Sequence, residues 1–133
     1  LQGQGCPICS ESKLEKEISN LLKEKDIKYE REYTIKHTKT QYVDFYLPNQ
    51  KIAIECQGIQ HFEPTNFFDG KQGFHRRIIN DNLKYLYCLE KGIKIIYYTK
   101  EYDIKKLINN KLYGGIYKKE NIFNNLKEIY DQF

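Results

Sequence analysis

The sequence predicts an α/β (α+β) domain in which a mixed central sheet is flanked by helices. Two adjacent segments of alternating apolar residues at 42–57 predict a β-hairpin. A long periodic segment at 72–91 predicts a helix, and the short apolar run at 93–98 predicts a buried strand. Because a helix between two strands allows a parallel crossover, the sheet is expected to combine antiparallel and parallel pairs.

The domain begins with a helix-start signal. Ser12 and Glu15 form a capping box, in which Ser12 caps the helix and the Glu15 carboxylate reaches back to the Ser12 backbone N–H. Apolar residues at helical spacing predict a helix over about 12–25, and alternating residues rich in Ile and Tyr predict a strand over 27–35. The predicted order is therefore helix, strand, strand, strand, helix, strand.

The register of the hairpin follows from its apolar residues. If Asn49–Gln50 forms a two-residue turn, three apolar pairs share one face, and a slip of one residue would expose half of them. Asn tolerates the positive φ that tight hairpin turns need. The predicted pairs are Leu47 with Ile52, Phe45 with Ile54, and Val43 with Cys56.

The same register fixes the other face of the hairpin, where Asp44 lies opposite Glu55 and Tyr42 lies opposite Gln57. Two carboxylates that face each other across a ladder repel and cost stability. A divalent cation between them would reverse the sign of that interaction. The pair indicates either a metal site or two solvated carboxylates on an open sheet face.

The helix at 72–91 carries two different faces. A narrow stripe is formed by Arg77, Asp81, Lys84 and Cys88, and it is typical of a salt-bridged surface because Asp81 and Lys84 are three residues apart. The opposing broad arc is apolar, which favours burial. The apolar arc consists of Phe74, Ile78, Ile79, Leu83, Leu86 and Leu89.

The remaining segments define the domain boundaries. Residues 101–133 are predicted to form a C-terminal helical extension that packs on the core, with short helices at about 101–111 and 119–131. Residues 11–100 form the core itself. Residues 1–10 are expected to be the end of a zinc-knuckle module, and because Met is absent we expect the chain to be a piece of a longer protein.

The four cysteines divide into two kinds. Cys6 and Cys9 form a CxxC pair, which can supply two ligands of a zinc site, but a tetrahedral structural site needs four. The pair is either half of such a site, with its other ligands upstream of residue 1, or incidental. Cys56 and Cys88 lie in apolar segments and are expected to be buried small hydrophobes.

Composition and charge narrow the setting. The chain has 133 residues, a formal net charge of +4 and 40% hydrophobic residues, which suits one folded domain. With no long apolar run and no secretory leader in the sequence, we expect a cytoplasmic, intracellular setting and no membrane partner. Residues 71–106 hold nine basic and four acidic residues, which indicates either a basic nucleic-acid-binding face or a solvated Lys-rich surface.

The order of elements and two sequence strings resemble the core of the PD-(D/E)XK restriction-like nuclease superfamily. The strings are VDFYLP at 43–48 and IECQGIQHF at 54–62, and they resemble the branch that contains very-short-patch repair endonucleases and EDxHD homing endonucleases. SKLE at 12–15 and NDNLKY at 80–85 fit the same order. The resemblance implies a restriction-endonuclease-like fold and a Mg²⁺-dependent endonuclease that hydrolyses phosphodiester bonds in double-stranded DNA.

The resemblance also implies a metal site on the hairpin. Asp44 would bind Mg²⁺ or Mn²⁺ directly, Glu55 would be a second ligand, and the backbone carbonyl of Cys56 could be a third. Glu15 would face the site from the first helix and hold a metal-bound water. The CxxC segment is similar to the end of a zinc-finger module that precedes such nucleases.

The remaining catalytic roles are less regular. His61 would act as a base or as a partner of the scissile phosphate, and Asp81 would orient His61 or a water. The superfamily places a lysine two residues after the second carboxylate, where this chain has Gln57. A role of Gln57 in catalysis therefore stands beside the alternative that the fold is a non-catalytic DNA-binding module.

The DNA backbone is expected to contact the basic segment through Arg76, Arg77 and Lys84. The expected assembly is a monomer or a homodimer. A third interpretation, from a different class, is a zinc-knuckle interaction domain in which the hairpin carboxylates have no chemical role.

Overall fold

The computed structural model describes residues 12–34, 41–58, 62, 70–100 and 102–133. The CxxC pair Cys6 and Cys9 and the candidate base His61 lie outside these residues. The helices are α1 (Lys13–Glu24), α2 (Gly70–Glu90), α3 (Ile104–Asn109) and α4 (Leu126–Tyr130), with a 3₁₀ turn at Lys111–Tyr113. The strands are β1 (Glu30–Thr34), β2 (Tyr42–Leu47), β3 (Ile52–Cys56), β4 (Lys94–Tyr98) and β5 (Ile122–Phe123).

The five strands form one mixed sheet in the order β1-β2-β3-β4-β5. The first two pairs are antiparallel, and the β3–β4 and β4–β5 pairs are parallel. The crossover between β3 and β4 contains α2, and the one between β4 and β5 contains α3 and the 3₁₀ turn. The α+β class, the mixed sheet and the order of the first six elements are confirmed.

The C-terminal extension differs from the prediction of two helices. The segment predicted as a helix at 119–131 contains β5, and only Leu126–Tyr130 is helical. The Thr99 N–H donates to the Phe123 carbonyl, at 3.0 Å, so the extension adds an edge strand to the sheet. A strand of two residues is too short to show alternation, and its pairing depends on β4.

Two of the three predicted hairpin pairs are confirmed, because Leu47 pairs with Ile52 and Phe45 with Ile54, whereas Val43 and Cys56 are not paired in the β2–β3 ladder. The turn differs, because it spans 48–51 and closes with the Lys51 N–H donating to the Leu47 carbonyl, at 2.8 Å. Lys51, rather than Asn49, adopts the positive φ, of 57°. A four-residue turn keeps the same register as the two-residue turn that was predicted.

Helices cover both faces of the sheet. On one face, α1 and α4 pack on the apolar side chains of the hairpin and of β4, including Phe45 and Ile54. On the other face, α2 and the part of the C-terminal extension that precedes α4 pack on Tyr46, Ala53 and Tyr97. Val43 packs on this second face and not with Phe45, so the prediction that six apolar residues share one face is wrong for Val43.

The orientation of α2 reverses the prediction for its two faces. Asp81 and Cys88, from the narrow polar stripe, are buried against the sheet. Four residues of the apolar arc are exposed instead, and Leu86 is 57% exposed. The four are Ile79, Leu83, Leu86 and Leu89. None of the helices in the described part of the chain, α2 included, combines the length and the apolar character needed to cross a bilayer.

The predicted Ser12 cap and the burial of two cysteines are confirmed, but the Glu15 carboxylate bonds to the Ser12 hydroxyl and not to its backbone N–H as predicted. The Glu15 N–H donates to the Ser12 hydroxyl, at 3.2 Å, so Ser12 is the N-cap. The Glu15 carboxylate accepts the Ser12 hydroxyl proton, also at 3.2 Å. Cys56 and Cys88 are buried free thiols, as expected for small hydrophobic residues.

Candidate active site

The candidate site lies at the end of the hairpin away from its turn, just beyond the pair of Phe45 and Ile54. The Asp44 N–H donates to Glu55 Oε1, at 3.0 Å, and the Cys56 N–H donates to Asp44 Oδ2, at 2.8 Å. Each carboxylate thus accepts a backbone N–H from the opposite strand. Asp44 and Glu55 are therefore cross-strand neighbours, held by the backbone that carries them.

The two carboxylates are not solvated on an open face. Glu55 is only 4% exposed. Burial, together with the charge of Glu55, raises the pKa of Asp44 well above its ordinary value, although the bond from Cys56 opposes that shift. Burial also raises the pKa of Glu55, and Lys84 offsets only part of this effect. The surroundings of the pair therefore disfavour the ionised form of both carboxylates.

Lys84 of α2 supplies a positive charge beside the carboxylates. Its Nζ lies 2.7 Å from Glu55 Oε2 and 3.8 Å from Asp81 Oδ1. Burial by itself lowers the pKa of Lys84, but the attraction of Glu55 and Asp81 outweighs it, so the pKa is raised. Lys84 is therefore directed to Glu55 and Asp81, and its expected contact to the DNA backbone stays a prediction.

The position of Lys84 bears on the lysine that the resemblance described above would have placed at residue 57. Gln57 stands two residues after Glu55, and its side chain is 1% exposed and turned into the core. Gln57 Nε2 lies 3.5 Å from Asp81 Oδ2, and Gln57 Oε1 accepts the Tyr117 hydroxyl at 2.7 Å. An ammonium group is present at Glu55 even though residue 57 does not provide it.

Glu15 approaches the site from α1, as expected, and is joined by a residue that sequence reasoning missed. Arg31 of β1 donates to Glu15 Oε1 at 2.7 Å and to the Asp44 carbonyl at 3.3 Å. Its guanidinium group also lies over the Phe45 ring, 4.4 Å from the centroid. Arg31 pairs with Phe45 in the β1–β2 register, so a predicted register for that pair would have placed it beside Asp44.

These residues surround an open pocket of about 230 Å³. Its polar lining comes from α1, α2 and the hairpin, so three separate elements converge on it. The lining residues are Glu15, Tyr42, Asp44, Glu55, Cys56, Asn80 and Lys84. Asp81 is buried beneath this pocket, where it contacts Lys84 and Gln57.

The other predicted DNA contacts lie nearer the N-terminus of α2 than Lys84 does. Arg76 is exposed, and Arg77 is half-buried with its guanidinium group 6.0 Å from the Phe74 ring centroid. Arg77 precedes Lys84 by seven residues, which places both on one side of the helix, two turns apart. The structure therefore places Arg77 on the side of α2 that leads to the pocket.

The donor set of the pocket suits one class of metal. Within the described ranges, no three His, Cys, Asp or Glu side chains converge into a complete metal-binding group. Mg²⁺ commonly uses only one or two carboxylates and completes its coordination with water and substrate phosphates. Asp44 and Glu55 fit that requirement, since both are oxygen donors whose mutual repulsion a cation would relieve.

Comparison with known proteins adds nothing to this description. No protein-family model matches the chain, and no curated protein matches it. The functional argument therefore rests on the residues of the pocket.

Proposed function

We propose that this domain is a metal-dependent endonuclease that hydrolyses phosphodiester bonds in DNA. The observation that carries the proposal is the pair of mutually repelling carboxylates of half-buried Asp44 and buried Glu55, which share one open pocket with the ammonium group of Lys84. Two carboxylates placed so close together lower the stability of the fold, and such arrangements cluster at functional sites. A restriction-endonuclease-like core agrees with the element order, and the resemblance of the hairpin strings favours it.

The residues of the pocket have distinct proposed roles. Asp44 and Glu55 would hold Mg²⁺ or Mn²⁺, and the backbone carbonyl of Cys56 is a further candidate ligand. The chemistry that a bound Mg²⁺ supplies is activation of water and neutralisation of charge on the scissile phosphate. Asp44 and Glu55 must both be ionised for this role, so metal binding is expected to release protons because their pKa values are raised.

Lys84 contributes a second positive charge at the same place. Its ammonium group bonds to Glu55 Oε2 and has three donors, so it can also donate to a phosphate oxygen that enters the pocket. Because the group is directed by Glu55 and Asp81, it would not need to reorganise when charge develops on the phosphate. Lys84 thus takes the place that the superfamily gives to a lysine on the strand.

Glu15 is the candidate for holding a water at the pocket. Its carboxylate is fixed by Ser12 within α1 and by Arg31 across the sheet edge. A carboxylate held from two sides keeps one orientation, and it can accept a hydrogen bond from a water molecule near the phosphate. Arg31 also places a positive charge at the rim of the pocket, where a phosphate would approach.

DNA is the favoured substrate because of the basic charge on α2 and on the segment that follows it. Residues 71–106 hold the excess of basic over acidic residues, and Arg77 lies on the pocket side of the helix. Arginine and lysine contacts to phosphates are independent of base sequence. The helix would therefore position the backbone, and Arg76 would add an exposed contact.

A cleavage assay tests the proposal. Supercoiled plasmid and linear duplexes of varied sequence are incubated with the protein and Mg²⁺ or Mn²⁺, and DNA affinity is measured in parallel. We expect metal-dependent cleavage that Glu55→Gln lowers by at least two orders of magnitude with little change in affinity. Glu128→Gln, a change at an exposed carboxylate of α4, is the matched control and should retain activity.

The assay separates the alternatives. DNA binding that weakens with salt, without cleavage under any metal condition, would support the non-catalytic DNA-binding module. Absence of both cleavage and DNA binding would contradict both DNA-based interpretations and favour the zinc-knuckle interaction domain.

A further inference from the structure

A chain of buried polar side chains links the pocket to the C-terminal extension. Lys84 Nζ lies 3.8 Å from Asp81 Oδ1, and Asp81 Oδ2 lies 3.5 Å from Gln57 Nε2. Gln57 Oε1 accepts the hydroxyl of Tyr117 at 2.7 Å. Asp81, Gln57 and Tyr117 are all buried, so bulk water does not compete for the hydrogen bonds between them.

The direction of each hydrogen bond in this chain is determined by chemistry. A carboxylate oxygen accepts, and the Gln57 NH₂ group donates to Asp81 Oδ2. The Gln57 carbonyl oxygen then faces Tyr117, whose hydroxyl group must donate. Asp81 thereby selects one of the two orientations of the Gln57 amide, because the reverse orientation would place a carbonyl oxygen against its carboxylate, and the Tyr117 hydroxyl holds the amide in place by donating to Gln57 Oε1.

Asp81 in turn limits where Lys84 can be. A lysine side chain has a flexible four-carbon stem and loses considerable rotamer freedom when its ammonium group is held in one place. Glu55 holds the ammonium group from one side and Asp81 from another. Without a fixed Asp81, Lys84 would have Glu55 as its one carboxylate partner in the described contacts.

We propose that Gln57 and Tyr117 are positioning residues, which fix Asp81 and through it the Lys84 ammonium group at Glu55. The proposal rests on the proposed function for its catalytic consequence, because positioning Lys84 matters to a reaction only if Lys84 acts on the substrate. It assigns a role to the C-terminal extension, which supplies Tyr117 from a segment sixty residues after Gln57.

The matched control is Tyr113 of the same extension. Its hydroxyl donates to the Phe62 carbonyl at 2.5 Å, and the ring is as buried as that of Tyr117, at 4% exposure for each. Both rings pack in one aromatic cluster with Phe62. Tyr113→Phe and Tyr117→Phe therefore remove the same buried group, but only Tyr117 is bonded to Gln57.

The first measurement is independent of catalysis. The ¹H–¹⁵N signal of the Lys84 ammonium group, assigned by its loss in Lys84→Met, is recorded at low temperature in labelled protein. We expect Tyr117→Phe to shift and broaden this signal, and Tyr113→Phe to leave it unchanged. An unchanged signal in Tyr117→Phe, or equal changes in both variants, would overturn the proposal.

The second measurement is single-turnover cleavage of DNA with Mg²⁺. Tyr117→Phe should lower the rate constant by on the order of tenfold without changing DNA affinity, a scale typical of residues that orient the groups of a metal site. Tyr113→Phe should stay within about twofold of wild type on the same grounds. In the Lys84→Met background, Tyr117→Phe should have no further effect, since residues that act through one another are not additive.

Folding failure and failure of the proposed function are both separable from failure of this inference. If Tyr117→Phe does not fold, Gln57→Met breaks the same connection while retaining side-chain length, and the same Lys84 shift is expected. If wild type does not cleave DNA, the endonuclease function is refuted, and the Lys84 signal alone still decides whether Tyr117 positions it.

Discussion

The unfavourable placement of Asp44 leads to an unusual stability prediction. In metal-free protein at pH 7, Asp44→Asn should raise the free energy of unfolding instead of lowering it. The amide oxygen of Asn can still accept the Cys56 N–H, and Glu55 can still accept the backbone N–H of residue 44. The substitution removes the charge, which burial, Glu55 and Glu15 all disfavour, and replaces one carboxylate oxygen with an NH₂ group.

The magnitude follows from the electrostatics of the pair. Like charges about 5 Å apart repel by about 3 kcal/mol at an effective dielectric constant of about 20. Lys84 cancels part of the negative charge of Glu55, because its ammonium group is 2.7 Å away. A net stabilisation of about 1 to 2 kcal/mol remains for Asp44→Asn on this scale.

The effect should depend on pH in a defined direction. Because the folded-state pKa of Asp44 is raised, folded protein retains this proton at pH values where the unfolded chain has lost it. The wild type therefore loses stability as pH rises from the ordinary Asp value of 3.8 through the raised value. The advantage of Asp44→Asn should be absent below about pH 3.8 and largest at neutral pH.

Urea unfolding in EDTA, followed by tyrosine fluorescence because the chain has 12 Tyr and no Trp, measures this difference. Asp131→Asn, at an exposed position after α4, controls for the change in net charge and should stay within about 0.5 kcal/mol of wild type. Mn²⁺ should stabilise the wild type and not Asp44→Asn. A variant less stable than wild type at neutral pH, with the same loss at pH 4, would refute the reasoning.

Three further outcomes test separate parts of the structure. Lys84→Met should destabilise the protein by about 1 to 3 kcal/mol at pH 8 and by less at pH 5, where Glu55 can take up a proton; equal losses in urea unfolding at the two pH values would contradict this. Arg76→Ala should weaken binding to all DNA sequences alike and reduce the slope of log K against log salt by about 0.9, and a loss restricted to one sequence would indicate base readout. Ile54→Ala, in the core, should lower the free energy of unfolding by about 2 to 5 kcal/mol in thermal or urea unfolding. Leu86→Ala, on the exposed side of α2, should lower it by about 0.5 kcal/mol or less, and losses of similar size in the two variants would show that Leu86 is covered.

The hairpin is the part that the sequence determined by itself. Alternation with a period of two assigns side chains to a face, and a shifted register would expose half of the apolar residues. The rule holds for the four residues of the two confirmed pairs, and it fails for Val43, which packs on the opposite face. Leu47 opposite Ile52 and Phe45 opposite Ile54 follow from this rule alone, and with them the proximity of Asp44 and Glu55. The Ser12 cap of α1 is equally local, because a capping residue and its acceptor are three positions apart.

The orientation of α2 was decided by the tertiary structure. An apolar arc and a polar stripe on one helix suggest that the arc is buried, because the sequence shows the cost of burying charges and not their partners. The sheet supplies those partners, since Glu55 pairs with Lys84 and Gln57 bonds to Asp81. The stripe therefore faces the sheet, and Leu86 with its neighbours faces solvent.

Two further features, the positive charge at the pocket and the fifth strand, depend on contacts between residues far apart in sequence. The family resemblance would place a lysine at residue 57, where this chain has Gln57, but Lys84 reaches Glu55 across 29 positions. Similarly, β5 is a strand because β4 offers it an edge, since two residues have too few local interactions to form one alone. Sequence periodicity reports which side chains share a face, and only the folded chain decides which distant groups those faces meet.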